Sequence, residues 1–469
     1  MTLPVGFAVT LDRRVRVVDG GKALLGGFPT RLLSLTPRAR PLLTGRTVRV
    51  TGRASAVLAD RLLETGMANP VLAELPPPGE DARWTYVIPV RDRPEELDRL
   101  LASIGIGHPV VVVDDASLRP SDIADVAAKH GARLVPLAVN VGPGGARNAG
   151  LRLVETPFVV FADSDIVLPE ETVPALLRHF ADPRVAMAVP RIAGLRTGGA
   201  EGWLGRYEDT RSSLDLGGDP AAVRPGTPVA WASTACVVAR VDALGDGFDA
   251  AMRVGEDVDL GWRVLERGLR IRYEPSVVAW HEHRTRFGDW FTRKAVYGTG
   301  AHPLAVRHPE YIAPAILAPW STALVVALLA QRRWSVPAAA AVYAGTTLRI
   351  ARKLDRAEHP VRLAAWLTAN GTVSALSQAG NLLTRHWWPL TAAGCAVSSR
   401  VRRAAAVAAL TDIAFEYRKD NARLDLPRFA VARRLDDLAY GAGVWLSAAR
   451  GRSPAALLPR LVRRTRRRP

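Results

Sequence analysis

The chain has 469 residues, of which 48% are hydrophobic and 23% are charged, and its formal net charge is +18 at pH 7. This length predicts about two to four domains and excludes a single ordinary domain, and it is ample for a large core. The two cysteines, Cys236 and Cys395, show no metal-type spacing, which excludes a disulfide scaffold and indicates a reducing compartment. Because residues 1–11 lack the basic and apolar segments of a secretory signal, the protein is expected to remain in the cytoplasm.

The first segment, residues 1–78, is predicted to be a small α+β domain, because Pro76-Pro77-Pro78-Gly79 then breaks regular structure and forms a linker. Strands are predicted at 11–18 and 47–51, Thr36-Pro37 indicates a helix that begins there, and a second helix is predicted at 55–67. With the stretch Leu11-Asp12-Arg13-Arg14-Val15-Arg16, this order resembles the PqqD-like peptide-recognition domains of enzymes that modify ribosomally made peptides. A winged-helix domain and a structural cap are the alternatives.

Strand and helix patterns alternate from Trp84 onward, which predicts an α/β domain at 79–310 with a mostly parallel sheet and crossover helices. Strands are predicted at 84–90, 109–113, 133–137, 158–161 and 271–278, helices at 94–104 and 121–130, and a glycine-rich turn at 142–150. The carboxyl ends of such strands meet at one edge of the sheet, where α/β proteins bind ligands.

Carboxylates follow two of these predicted strands, as Asp114-Asp115 and as Asp163-Ser164-Asp165. Residues i and i+2 of an extended chain point the same way, so Asp163 and Asp165 can face one hard divalent cation. A polar turn is the alternative at both places.

Six motifs occur in the order and spacing of the family 2 glycosyltransferases with the GT-A fold. They are Val87-Ile88-Pro89-Val90-Arg91, Val112-Val113-Asp114-Asp115-Ala116-Ser117, the run 142–150, Asp163-Ser164-Asp165, Trp231-Ala232-Ser233-Thr234-Ala235 and the run 255–263. The resemblance covers residues 84–290. Together with the first segment and the Arg-rich tail, it is similar to the mycofactocin-system glycosyltransferases, a family implied to attach sugars to a peptide-derived redox cofactor.

This resemblance implies roles for particular residues. Those implied to bind the nucleotide-sugar donor are Pro89, Val90, Arg91, Asp114, Asp115, Gly142, Arg147, Asn148, Asp163 and Ser164. Those implied to bind the acceptor are Trp231, Ser233, Glu256 and Asp257, the last as general base and Glu256 as its orienting partner. Those implied to bind the metal are Asp163, Asp165 and His281, with His283 as the alternative to His281.

The expected metal is Mg²⁺ or Mn²⁺, because carboxylate oxygens favour hard cations. The strand at 231–235 is expected on the acceptor side, and a helix is expected at 255–263. Acids at a helix start favoured by the macrodipole are the alternative explanation of Glu256 and Asp257.

The motifs argue against two other enzyme classes. The run 142–150 places Arg147 where the dinucleotide fingerprint requires its third glycine, which argues against a Rossmann oxidoreductase. No Gln-x-x-Arg-Trp sequence stands at the expected distance after Asp257, which argues against a processive polysaccharide synthase.

The last segment, 311–469, is predicted to be a hydrophobic, Arg-rich helical region associated with the membrane, and a buried helical bundle is the alternative. Residues 331–469 hold 25 Lys and Arg against 8 Asp and Glu, which indicates an anionic partner, and lipid headgroups are favoured over nucleic acid. Residues 312–330 are uncharged and reach the length of a membrane span, although Pro314 and Pro319 would kink it.

The sequence therefore predicts an inverting, metal-dependent hexosyltransferase at the cytoplasmic face of the membrane. The expected donor is a uridine-diphosphate sugar carrying glucose, and the expected acceptor is a peptide-derived precursor of mycofactocin type. A lipid or cell-wall polysaccharide acceptor is the first alternative. A peptide-binding scaffold with a degenerate transferase domain is the second.

Overall fold

The computed structural model describes residues 2–105, 107–195, 202–354, 357–419 and 424–461. They form two compact units, the first made of Met1–Ala200 and Arg211–His283 and the second of Glu201–Thr210 and Arg284–Pro469. The predicted N-terminal domain thus shares a unit with the α/β core. Residues 284–310, predicted as part of the α/β domain, belong instead with the helices that follow, because they form helices that pack on a later one.

The N-terminal part of the first unit holds two small antiparallel sheets and a helix. Its elements are β1 (Ala8–Leu11), β2 (Arg16–Val18), β3 (Ala23–Gly26), β4 (Arg31–Ser34), β5 (Leu43–Thr44), β6 (Thr47–Arg49), α1 (Arg53–Glu64) and β7 (Ala68–Pro70). The strand predicted at 11–18 is two strands, because Asp12 accepts a hydrogen bond from the backbone N–H of Arg14 at 2.9 Å and turns the chain. The helix predicted to begin at Thr36-Pro37 does not form, and a short 3₁₀ helix follows instead at Arg40–Leu42.

Two arginines bind this N-terminal part to the core. Arg270 donates to Asp60 at 2.6 Å and to Glu64 at 2.9 Å, both on α1, and to Asp182 of the core at 2.6 Å. Arg224 donates to the backbone carbonyl oxygens of Glu64 and Phe28 at 2.9 and 2.7 Å. The predicted linker therefore joins two bodies that are already bound to each other.

The core is a nine-stranded sheet flanked by helices. Its elements are β8 (Trp84–Val90), α2 (Pro94–Ser103), β9 (Val110–Asp114), α3 (Pro120–Lys129), β10 (Arg133–Pro136), α4 (Gly142–Leu151), β11 (Phe158–Ala162), β12 (Ile166–Val167), α5 (Thr172–Leu177), β13 (Val185–Gly194), α6 (Trp203–Arg211, mostly in the second unit), β14 (Ala221–Ala222), β15 (Cys236–Arg240), α7 (Glu256–Glu266) and β16 (Arg270–His281).

The strand order of this sheet is β10-β9-β8-β11-β15-β13-β16-β12, with β14 paired to β16. The four strands from β10 to β11 are parallel, as predicted, and β13 is parallel to β16. β15 runs antiparallel to both of its neighbours, and β12 and β14 run antiparallel to β16, so the sheet is mixed rather than mostly parallel. Buried Val, Ile and Phe side chains cover both faces of the strands, which explains their continuous apolar runs.

Two local predictions near the site are wrong. The glycine-rich run 142–150 is the helix α4 and not a turn, because Pro143 starts it and its glycines allow close packing. A Cβ at Gly150 would lie 2.4 Å from a methyl carbon of Val87, so the helix rests directly on β8. The strand predicted at 231–235 begins only at Cys236.

The second unit is helical. After α6, its elements are α8 (Phe287–Thr299), α9 (Ala301–Arg307), β17 (Ile316–Leu317), α10 (Pro319–Leu329), α11 (Ser335–Ala351), α12 (Pro360–Asn381), α13 (Trp388–Val397), α14 (Ser399–Lys419), α15 (Leu426–Arg450) and β18 (Arg460–Leu461). The uncharged run 312–330 was predicted as a kinked span, but it contains a short strand and an 11-residue helix that Pro319 begins. Within the described ranges, no helix is both long and apolar enough to cross a bilayer.

Candidate active site

The carboxylates of the site lie at the carboxyl end of β11, in the middle of the mixed sheet. β11 pairs with β8 on one side and β15 on the other, and the backbone N–H of Asp163 donates to the carbonyl oxygen of Ala235 at 2.9 Å. β12 follows at once and pairs Ile166 with His281 of β16. These pairings bring His281 beside Asp165.

Arg147 joins the end of β11 to the start of α7. It projects from α4, is buried, and donates through Nη2 to Asp163 Oδ1 at 2.5 Å and through Nη1 to Glu256 Oε1 at 3.1 Å. A Cβ at Gly144 would lie 3.1 Å from Glu256 Cγ, so the glycine allows α4 and α7 to approach this closely. The predicted donor residue Arg147 therefore connects an acid of the predicted metal motif with one of the predicted catalytic acids.

Asp165 has two other basic neighbours. Arg93 donates to its Oδ2, and His281 Nε2 lies 3.5 Å from its Oδ1. Burial would raise the pKa of Asp165, but the hydrogen bond from His281 and the charge of Arg93 outweigh burial and hold that pKa well below its usual range. Asp165 is therefore ionised at neutral pH.

The side chains predicted as metal ligands are of types that bind hard divalent cations. Two carboxylates are present, and the Nδ1 atom of His281 is buried with no hydrogen-bond partner among the described residues, so that nitrogen remains open to a ligand. In the part of the chain that the structure describes, however, no group of three or more His, Cys, Asp or Glu residues is arranged to hold a metal ion. Arg147 and Arg93 occupy the carboxylates instead.

Glu256 and Asp257 begin α7, as predicted. Gly255 precedes them with φ of 83°, a left-handed conformation that favours glycine and turns the chain into the helix. Burial, together with the neighbouring carboxylate of Asp257, raises the pKa of Glu256 to about 7. Burial also raises the pKa of Asp257, whose Oδ1 accepts from the N–H of Val258 at 2.8 Å. A carboxylate with a raised pKa is a stronger base, as general base catalysis requires.

Asp257 faces a small, mostly apolar pocket. The pocket is lined by Met187, Val223, Trp231, Ala232, Asp257, Val258, Gly261, Trp262 and Ile271. The Nε1 atom of Trp262 donates to the carbonyl oxygen of Ala230 at 3.0 Å, which fixes the chain beside Trp231. The predicted base and the predicted acceptor residue Trp231 thus share one pocket.

Several predicted donor residues already have protein partners. Asp115 accepts from Asn140 Nδ2 and from the N–H groups of Val141 and Gly142 at 2.7–2.9 Å, and so fixes the start of α4. Asp114 accepts from the backbone N–H and the hydroxyl of Ser117 at 3.0 and 2.5 Å. These carboxylates shape the edge of the site.

Asn148 is also engaged, because it donates to and accepts from the backbone of Phe248 at 2.7 and 2.8 Å. Ser164 and Val90 are buried, and the Arg91 side chain is half exposed beside Asp92. Pro89, which precedes Val90 in β8, is partly buried. Ser233 accepts from the N–H of Ala235 at 3.0 Å and holds the turn that leads into β15.

The sequence did not predict Arg93 or Trp262 as residues of the site. Arg93 stands three residues after the end of β8, where the convergence of parallel strand ends could have placed it. Trp262 lies within the motif of α7, six residues after Glu256, but the sequence of this helix does not show which distant residue the indole contacts.

Comparison with known proteins assigns the family. The model of the family described as glycosyl transferase family 2 matches residues 85–242. The chain is 40% identical over 470 residues to the pre-mycofactocin glycosyltransferase of Mycobacterium tuberculosis, in strains CDC 1551 / Oshkosh and ATCC 25618 / H37Rv, with 98% of each protein covered. The chain belongs to the family 2 glycosyltransferases, of the mycofactocin type.

Other relatives of this family 2 glycosyltransferase cover less of it. An uncharacterized glycosyltransferase of Mycobacterium bovis is 37% identical over 201 residues, which are 41% of this chain and 85% of the relative. Among solved structures, a mannosyltransferase from Pyrobaculum calidifontis in complex with GDP-Man and Mn²⁺ has a TM-score of 0.38 and 21% identity, and the match covers 64% of this chain and 88% of that chain. The predicted family and the GT-A class of the α/β core are confirmed.

Proposed function

We propose that this family 2 glycosyltransferase transfers a hexose, glucose in the first instance, from a uridine-diphosphate sugar to a pre-mycofactocin acceptor with inversion at the anomeric carbon. The observation that carries the proposal is the 40% identity to the pre-mycofactocin glycosyltransferase of M. tuberculosis, which extends over 98% of both proteins. An identity of this extent includes the N-terminal segment and the helical unit as well as the catalytic core.

The geometry supports a single displacement. The acceptor hydroxyl would enter the pocket between Trp231 and Trp262 and give its proton to Asp257 as its oxygen attacks the anomeric carbon. The bond from that carbon to the diphosphate breaks at the same time, and the nucleoside diphosphate leaves. Because the attack is direct, an α-linked donor gives a β-linked product.

Asp163, Asp165 and His281 would hold a divalent cation, Mg²⁺ or Mn²⁺. Such a cation supplies neutralisation of the negative charge that develops on the leaving diphosphate. Arg147 and Arg93 already place positive charge beside these carboxylates, and we propose that they contribute to the same neutralisation.

We further propose that residues 1–78 form a PqqD-like domain that recognises the peptide from which the acceptor is made. Its support is the fixed docking of α1 on the core through Arg270, which would keep a bound peptide in a constant place. The test is the anisotropy of a fluorescently labelled precursor peptide titrated with the full chain. Saturable binding at micromolar concentration is expected, and no binding would retire this part of the proposal.

The test of the main proposal is a donor and acceptor screen with product mass spectrometry. The full chain is incubated with pre-mycofactocin and a panel of nucleotide sugars, with Mg²⁺, with Mn²⁺ or with a chelator. A mass increase of one hexose from the uridine-diphosphate sugar, lost with the chelator and restored by the metal, is expected. Transfer to a lipid or polysaccharide acceptor alone would overturn the proposal, and full transfer with the chelator would overturn its metal dependence.

A further inference from the structure

Helix α11 of the second unit has its polar and apolar faces reversed relative to a helix in water. Its buried positions include Ser335, Thr346 and Thr347. Its exposed positions recur every three to four residues and are apolar over three turns, and they include Val336, Ala340, Ala341, Ala344 and Leu348. A helix whose outer face meets water carries its polar residues there, so the outer face of α11 is suited to an apolar environment.

Helix α14 repeats this pattern. Its exposed positions between the two ends, apart from Thr411, are Ala406, Val407, Leu410, Ala414 and Phe415. Val336 is 70% exposed, Leu410 67% and Phe415 63%, which is unusual for side chains of this size when they form continuous stripes. We call the exposed stripes of α11 and α14 together the apolar stripes.

Basic residues stand at both ends of each stripe. Exposed arginines precede α11 at 332 and 333 and occur in α14 at 402 and 403, while Arg349, Arg352 and Lys353, and Arg418 and Lys419, close the two stripes. The first ends are adjacent, since Gln331 donates to the carbonyl oxygen of Arg400 at 2.8 Å and accepts from Arg403 at 2.9 Å. The exposed indole of Trp334 lies in the same cluster.

We infer that the apolar stripes lie on an anionic lipid bilayer, with their apolar side chains among the acyl chains and their arginines at the headgroups. Residues 312–419, which run to the end of α14, contain 13 Lys and Arg and four acids, Asp355, Glu358, Asp412 and Glu416. Anionic headgroups match this charge, whereas pairing of the stripes with a second copy of the chain would bring like charges together. An exposed tryptophan beside the arginines is typical of side chains at the membrane interface.

Vesicle flotation of the full chain tests this inference. The vesicles contain phosphatidylcholine alone or phosphatidylcholine and phosphatidylglycerol in equal amounts. The chain is expected to float with the anionic vesicles and to remain in solution with the neutral ones. The double variant Val407→Glu and Leu410→Glu is expected to lose flotation. The matched double variant Val5→Glu and Val57→Glu, at exposed apolar positions of the first unit, is expected to float like the unaltered chain.

A second pair of variants changes only the charge, in case the glutamates disturb folding. Replacing Arg332 and Arg333 by Gln is expected to weaken binding to anionic vesicles about tenfold to thirtyfold at low salt. The control replaces the exposed Arg38 and Arg53 of the first unit by Gln and is expected to bind unchanged. Failure of the unaltered chain to float, or unchanged binding after the Arg332 and Arg333 replacements, would overturn the inference. A dimer in light scattering that the glutamate pair dissociates would assign the stripes to a second copy instead.

Discussion

Two regions of this glycosyltransferase bury several charges, and they differ in how these charges are matched. In the helical unit, Asp436 lies 3.7 Å from Lys294, and Asp437 lies 2.9 Å from Arg433 and 3.1 Å from Arg385. Burial alone would raise the pKa of Asp436, but Lys294, Arg385 and Arg433 together hold it below its usual value. Each of these two acids lies beside at least one cation.

The catalytic region distributes its charge differently. The guanidinium of Arg147 contacts Asp163 and Glu256, and it also lies within range of Asp257. Burial and the charge of Asp257 raise the pKa of Glu256, and burial and the charge of Asp163 raise that of Asp257, which together outweigh Arg147. A matched buried network fixes helices in place, whereas an unmatched one keeps carboxylates ready to accept a proton.

The largest effect is expected from Asp257→Asn. It removes the proposed base without changing side-chain size, so the turnover number for sugar transfer should fall about a hundredfold to ten-thousandfold. Circular dichroism should be unchanged. The control is Asp242→Asn, at an exposed acid of the same core, which should keep full turnover. Loss of less than half the turnover in Asp257→Asn would remove Asp257 from the reaction.

Breaking the matched network should instead reduce stability. Arg433→Met removes the most buried cation that contacts both Asp437 and Asp412, and the free energy of unfolding in urea should fall by about 3–5 kcal/mol. Arg428→Met, at an exposed arginine of the same helix, is the control and should cost less than about 1 kcal/mol. Equal losses for the two variants would contradict the distinction between buried and exposed pairs.

The unmatched pair should give stability a dependence on pH. The pKa of Glu256 is about 7 in the folded chain against an ordinary 4.5, so its contribution to stability is complete below about pH 4.5 and is lost as the pH rises through 7. Relative to Glu256→Gln, the unaltered chain should therefore lose about 1–3 kcal/mol of unfolding free energy over this range. Urea unfolding of both proteins at several pH values measures the difference, and parallel pH curves would contradict the raised pKa.

The smallest effect is expected at an exposed pair. Arg13 lies 2.7 Å from Asp219, with side-chain exposures of 76% and 32%. Arg13→Gln should change the free energy of unfolding by less than about 1 kcal/mol, because solvent screens the pair. A larger loss would show that Arg13 helps to hold the N-terminal part on the core.

Much of the catalytic half could be predicted from the sequence. The apolar run 158–161 predicted the strand β11 with two acids after its carboxyl end, and the start of α7 at Glu256 was also confirmed. These features are local, since strand composition and helix-start acids are set by neighbours in the chain. The direction of β15 depends on its pairing with distant strands, so the sequence predicted a more parallel sheet than the one that forms.

The charge partners of the site could not be predicted in the same way. Arg147 was expected to contact the donor, and the structure shows that it contacts Asp163, 16 residues later, and Glu256, 109 residues later. The run 142–150 looked like a turn, because glycine has a low helix propensity. Packing against β8 overrides that propensity, and only the tertiary structure reveals such contacts.

The position of α6 in the chain limits how this enzyme can be divided. The helix comes between β13 and β14, yet it belongs to the second unit, where Glu208 lies 2.9 Å from Lys294 and Tyr207 donates to Asp436 at 3.0 Å. A chain cut after His283 would keep α6 but expose its buried face to water. The catalytic half is therefore not a separable module, and gene fusion or recombination would have to transfer both units together.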